Sequence, residues 1–164
     1  TARAGNVIGG GDWSENRIVP DVISSLVKKQ VLRIRYPNAI RPWQHVLEPL
    51  FGYLELAKYQ HQGKEPSQFN FGPNHSESST VRELIDEIYK IWGYKCSEII
   101  EKDCLYESTF LSLNIEKAIN NLNWIPKWGF EKTLDHTVSW YKKHLEGHSV
   151  FSCIQNDIEK YLKT

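Results

Sequence analysis

Thr1-Ala2-Arg3-Ala4-Gly5-Asn6-Val7-Ile8-Gly9-Gly10-Gly11-Asp12-Trp13 reads as a strand in progress that runs into a glycine turn. Beyond the turn, Ile18, Val19, Val22, Ile23, Leu26 and Val27 recur at helical spacing. Pro20 falls in the first turn of that helix, where its missing N–H costs nothing. Val31 to Arg35 then alternates like a short strand and stops before Tyr36-Pro37-Asn38. A second helix is carried by Leu47, Leu50, Phe51, Leu54 and Ala57, and Gln68 to Pro73 reads as another short strand closed by a turn. Strands alternating with helices predict an α/β fold.

The second half is mostly helical. Thr80 and Glu83 form a capping box ahead of the stripe Val81, Leu84, Ile85, Ile88 and Trp92, and Gly93 supplies the stop. Asn114 caps a short helix through Ile115, Ala118, Ile119 and Leu122, which ends before Pro126. A long helix carries Leu134, Val138, Tyr141 and Leu145 as far as Gly147, and 154–162 shows a weaker helical pattern.

The chain has 164 residues, with 20 basic and 20 acidic side chains, 40% apolar residues and 24% charged. That suits one compact unit and excludes a disordered tail. No apolar run approaches the ~20 residues of a bilayer-spanning helix, so no membrane role is expected. Zero net charge provides no field to gather nucleic acid. There is no methionine and residue 1 is Thr, which suggests a piece of something longer. Cys96, Cys104 and Cys153 form no CxxC pair, so they read as free thiols rather than metal or redox ligands.

No G-x-G-x-x-G, phosphate loop or G-x-S-x-G occurs. Gly9-Gly10-Gly11 has the wrong spacing for a nucleotide fingerprint, although glycines after a strand let a ligand approach the backbone closely. His136, His144 and His148 read as a solvated helix face rather than a metal site. Trp13, Trp43 and Tyr36 fall in loops, where aromatic rings meet ligands or partners. In Ala39-Ile40-Arg41-Pro42-Trp43-Gln44-His45-Val46, an Arg held between Ile and Pro suits bidentate recognition of phosphate oxygens. Arg33 and Arg35 share one face of the preceding strand, and Arg17 opens the first helix. Together they form either a pocket for a small anionic ligand or ordinary surface ion pairs.

These stretches resemble extended short-chain dehydrogenase/reductases. Thr1 to Trp13 is similar to the strand and loop after their Tyr-x-x-x-Lys helix. The similarity continues through Arg17-Ile18-Val19-Pro20, Ile40 to Leu50, Phe69 to Asn74 and Leu122 to Trp128. Most nucleotide-sugar members read Ile-Arg-Asp-Trp-x-x-Val-x-Asp at the central motif. Pro42-Trp43-Gln44-His45-Val46-Leu47-Glu48-Pro49 instead resembles the CDP-glucose 4,6-dehydratases. The resemblance implies the edge of a Rossmann-type sheet over 1–10 and 44–74, with a small α/β nucleotide-sugar-binding domain over 11–43 and 75–164.

It further implies a cytoplasmic hydro-lyase that converts CDP-glucose to CDP-4-keto-6-deoxyglucose for surface polysaccharides, as a homodimer or homotetramer. NAD would be bound mainly by an N-terminal half. The catalytic Tyr and Lys would lie before Thr1, so this piece by itself is expected to be inactive, with no catalytic residue and no metal. Among binding residues, Asn6 is similar to the Asn that contacts the sugar diphosphate, and Val7 lies near the nicotinamide. Arg17 matches a basic residue near the nucleotide, and Ile34 with Arg35 lies where base and ribose are held. Arg41 matches the diphosphate clamp and Asn70 an Asn at the nucleotide end. Glu107 is similar to the acid of a His-Glu pair that closes the pocket, with Tyr106 where His is usual. Two alternatives remain: another nucleotide-sugar dehydratase or epimerase, and a non-catalytic binding module or truncated-gene remnant.

Overall fold

A computed structural model of the chain describes residues 1–64, 67–74, 77–101 and 108–164. Its opening segment is one extended run that changes partner at Gly5. β1 (Ala2–Ala4) lies parallel to β6 (Phe69–Phe71), and β2 (Asn6–Ile8) lies parallel to β5 (Trp43–His45). At the crossover the Gly5 N–H donates to the Phe71 carbonyl and the Asn6 N–H to the Pro42 carbonyl, each at 3.0 Å. A Cβ at position 5 would sit 2.7 Å from the Pro42 oxygen, so the crossing requires glycine. β3 (Leu32–Ile34) pairs in parallel with β8 (Glu98–Ile100), and β4 (Ile40–Arg41) pairs antiparallel with β7 (Ser79–Thr80). Three parallel pairings among interspersed helices make this a mixed α/β fold, as the sequence pattern predicts.

The helices follow their sequence signals closely. α1 (Ile18–Lys28) buries Val22, Ile23 and Leu26. α3 (Val81–Trp92) has both halves of the Thr80–Glu83 capping box and ends at Gly93. α5 (Phe130–Leu145) contributes Leu134, Val138 and Tyr141 to the main core, which it shares with α1, α3 and β3. α2 (Leu47–His61) and α4 (Glu116–Leu122) enclose a second core of Leu56, Phe69, Phe71, Ala118 and Trp124. The Asn114 side chain accepts from the Glu116 N–H at 2.9 Å, acting at the start of α4 as expected.

β4, β5, β7 and β8 were not expected from the sequence, because strands of two or three residues are too short to show a period. The weakly patterned tail forms α6 (Val150–Leu162), capped by Ser149. Its inward face is Cys153, Asp157 and Tyr161, a mixed set that hides amphipathicity. Asp157 lies 2.9 Å from Nδ1 of His136, whose ring stacks on Trp128 at 3.9 Å. His136 is therefore buried in a helix–helix contact, contrary to the solvated face expected for the three histidines.

The glycine turn also differs from expectation. Trp140 of α5 packs against Gly10 and Gly11: a Cβ at Gly10 would lie 2.0 Å from the indole Cγ. Gly10→Ala is thus expected to lose about 1–3 kcal/mol by forcing Trp140 off its packing position. A denaturant midpoint equal to wild type would contradict this.

Candidate functional site

A cavity of about 470 Å3 opens where β2, β3, the β4–β5 bend and the start of α1 converge, within the range of small-ligand sites. Asn6 and Val7 enter it from β2, and Val7 keeps 40% of its surface exposed there. Arg41 and Trp43 enter from the strands on either side of Pro42. Both are buried, with Arg41 Nη1 donating to the Ile40 carbonyl at 2.9 Å and Trp43 Nε1 to the Ser79 carbonyl at 3.1 Å. Arg33 and Arg35 reach the cavity from the exposed face of β3, and Arg17 from the N-terminus of α1.

The expected basic cluster therefore assembles, in two kinds. Arg17 pairs with Asp12 at 3.1 Å and Arg33 with Glu101 at 3.5 Å, both at the solvent edge. Burial works against the Asp12 charge, but the Ser14 N–H and Arg17 outweigh it and hold the carboxyl below the usual carboxylate range. Arg35 instead donates to the Asn16 carbonyl at 3.3 Å, and Arg41 is the buried cation of the set. Four guanidinium groups around one cavity favour an anionic ligand with two or more phosphate oxygens.

Several expected residues sit elsewhere. Ile34 is wholly buried, its side chain faces the core rather than the cavity, and its carbonyl accepts from the Glu101 N–H at 2.9 Å. Strand alternation gives the reason: burying Leu32 and Ile34 turns Arg33 and Arg35 outward to the cavity. Asn70 lies outside the cavity lining and donates to the Asn114 carbonyl at 3.1 Å. Tyr36 lines the cavity as an aromatic wall. Trp13 does not, packing edge-on against Tyr141 at 5.1 Å. Glu107 and Tyr106 lie outside the described residues.

Two cavity residues had no sequence signal. Asn16 has φ of 63°, in the left-handed region that Asn tolerates better than most residues. Asp21, in the first turn of α1, lines the cavity, and burial raises its proton affinity against an opposing Asn16 N–H. An acid in a first turn is ordinarily explained by the helix dipole alone, so spacing does not single it out.

The central motif divides between cavity and core. Gln44 Nε2 donates to the Phe71 carbonyl at 2.8 Å, while Glu48 is fully buried. Glu48 Oε1 accepts from the backbone N–H groups of Trp128 and Lys127 at 2.7 and 3.0 Å, and Oε2 from the Tyr161 hydroxyl at 2.8 Å. Its carboxylate thereby anchors the 124–128 segment and α6 to α2.

Parallel strands at a crossover, a phosphate-suited cavity and flanking helices define a fold shared with extended short-chain dehydrogenase/reductases. The dTDP-glucose 4,6-dehydratase of Bacillus anthracis, solved with NAD, superimposes with TM-score 0.72 at 23% identity, covering 88% of this chain and 45% of that one. The UDP-glucose 4-epimerase of Thermotoga maritima, solved with UDP-glucose, gives 0.75 at 22% identity, covering 88% and 46%. By sequence the chain is related to CDP-glucose 4,6-dehydratase: it is 39% identical to the Salmonella typhimurium enzyme over 99% of its own length and 46% of that protein. The chain spans about half the length of the relatives it matches. No family model matches it.

Proposed function

We propose that this chain is the substrate-binding portion of a CDP-glucose 4,6-dehydratase. The observation that carries the reading is the buried Arg41 in a cavity with three further arginines and Asn6. In it, Arg41 and Asn6 hold the diphosphate while Arg17, Arg33 and Arg35 surround the nucleoside. Binding of this kind contributes orientation, fixing the sugar relative to the reacting groups.

The residues present fit an edge contact with NAD rather than its whole seat. Val7 offers an exposed apolar surface beside Asn6, whereas Gly10 and Gly11 are packed against Trp140. When bound, NAD supplies a hydride acceptor and donor for oxidation at the sugar C4 and reduction at C6. On this reading its pyrophosphate, and the proton-transferring residues, belong to chain beyond these 164 residues, as do the contacts of a homodimer or homotetramer. The enzyme would work in the cytoplasm; among the described residues no helix is long and apolar enough to cross a membrane.

Calorimetric titration with CDP-glucose tests the reading. Arg41→Ala is expected to weaken binding by about 1.5–3 kcal/mol, the scale of charge-assisted hydrogen bonds lost to a diphosphate. An unchanged Kd would remove Arg41 from the site, and no binding by the wild-type chain would remove the site itself.

A further inference from the structure

The two residues assigned to the diphosphate stand on different strand pairs. Asn6 belongs to β2, which pairs with β5, and Arg41 belongs to β4, which pairs with β7. A diphosphate gripped by both needs their separation fixed, because charge-assisted hydrogen bonds tolerate little change in length. Along the chain the two pairs are connected at the Pro42 bend between β4 and β5.

The Trp43 side chain adds a second connection. Trp43 is the register partner of Asn6 across β2 and β5, and Ser79 is the register partner of Arg41 across β4 and β7. Trp43 Nε1 donates to the Ser79 carbonyl at 3.1 Å, so the indole runs from the residue opposite Asn6 to the residue opposite Arg41. The link is shielded from water, with Trp43 4% exposed and Arg41 6%. Its far end is held as well: Thr80 caps α3 together with Glu83, and the Val81 N–H donates to the Ala39 carbonyl at 3.0 Å. Any buried indole needs an acceptor for its N–H. Here that acceptor is the carbonyl directly across from the phosphate-binding arginine, which ties a packing requirement to the geometry of the site.

We propose that Trp43 is a positioning residue that braces the two strand pairs and sets the distance between Asn6 and Arg41. The inference rests on the diphosphate reading above and adds the group that holds its geometry. Trp43 also lines the cavity, so direct contact with the ligand is the competing account.

A double-mutant cycle, read by calorimetric titration of the full 164-residue chain with CDP-glucose, separates the two. Arg41→Ala alone is expected to weaken binding about 10- to 150-fold. Trp43→Phe alone should weaken it about 5- to 20-fold, because the phenyl ring fills most of the space but leaves the Ser79 carbonyl without its donor. The two together should stay within about threefold of Arg41→Ala, since bracing an absent guanidinium gains little. A loosened fold or a lost ligand contact would persist in the Arg41→Ala background, so losses that multiply would overturn the proposal. Wild-type affinity in Trp43→Phe would overturn it too. Where Trp43→Phe does not fold, the cycle is run with benzothienylalanine in place of Trp43, which keeps the bicyclic ring and lacks only the N–H. If Arg41→Ala binds as the wild type does, or the wild-type chain binds nothing, the diphosphate reading falls and the brace with it.

Discussion

Glu48→Ala is expected to destabilise the chain by about 3–5 kcal/mol, the largest effect of any single substitution considered. The residue is fully buried, and its removal strands three donors at once: two backbone N–H groups and the Tyr161 hydroxyl. Each buried donor left without an acceptor costs about 1–3 kcal/mol. The loss is concentrated where α6 and the 124–128 segment join the rest of the molecule. Glu48→Gln is the informative control. Its amide oxygen still accepts the Trp128 and Lys127 N–H groups, and its amide N–H can donate to the Tyr161 oxygen. Burial raises the proton affinity of Glu48, so a neutral side chain is tolerated better there than at the surface. Urea unfolding of the three proteins separates the cases. An alanine variant within about 1 kcal/mol of wild type would show that the carboxylate is not the anchor.

His45 should make stability fall as pH drops from 6.5 toward 4. Burial pushes the imidazole down to about 4 from the ordinary value of 6.5, outweighing the attraction of Asp157. Between those values the unfolded chain binds a proton that the folded chain refuses, so each unit of pH lost removes up to ~1.4 kcal/mol. The full window corresponds to about 3 kcal/mol. The local geometry agrees with the direction. His45 Nδ1 accepts from the Leu47 N–H at 3.3 Å, so the neutral ring carries its proton on Nε2, which is buried with no partner among the described residues. A second proton would have to displace the Leu47 N–H, and the nearby His136 ring opposes the charge. His45→Gln should flatten the slope between pH 6.5 and 5 in urea unfolding. Parallel pH profiles for the variant and wild type would assign the loss to other groups.

Together these two residues explain much of the central motif. Of Arg41-Pro42-Trp43-Gln44-His45-Val46-Leu47-Glu48, the sequence reading singled out Arg41 for a phosphate, and the structure puts Arg41 and Trp43 on the cavity. Gln44, His45 and Glu48 are buried instead, tying strand, helix and C-terminal segment together. Nothing local separates the two groups. An Arg and a Glu seven residues apart look equally charged in a sequence, and only the strand-to-helix turn at Val46 sends one to the cavity and the other to the core.

Features set within one helical turn or one strand pair of residues were legible from the sequence alone. The capping box at Thr80, the stop at Gly93, the α1 stripe and the outward pairing of Arg33 with Arg35 all follow from periods of 3.6 or 2. The same alternation places the Ile34 side chain in the core. Tertiary structure alone decided which buried polar groups meet: Glu48 with Trp128 eighty residues on, and Asp12 with the Tyr141 hydroxyl at 2.6 Å through its backbone carbonyl. It also brought the Arg35 guanidinium to the Asn16 carbonyl, nineteen residues back along the chain. The reason is that a buried hydrogen bond is specified by the position of its partner in space, and chain distance carries no information about that position until the helices have packed.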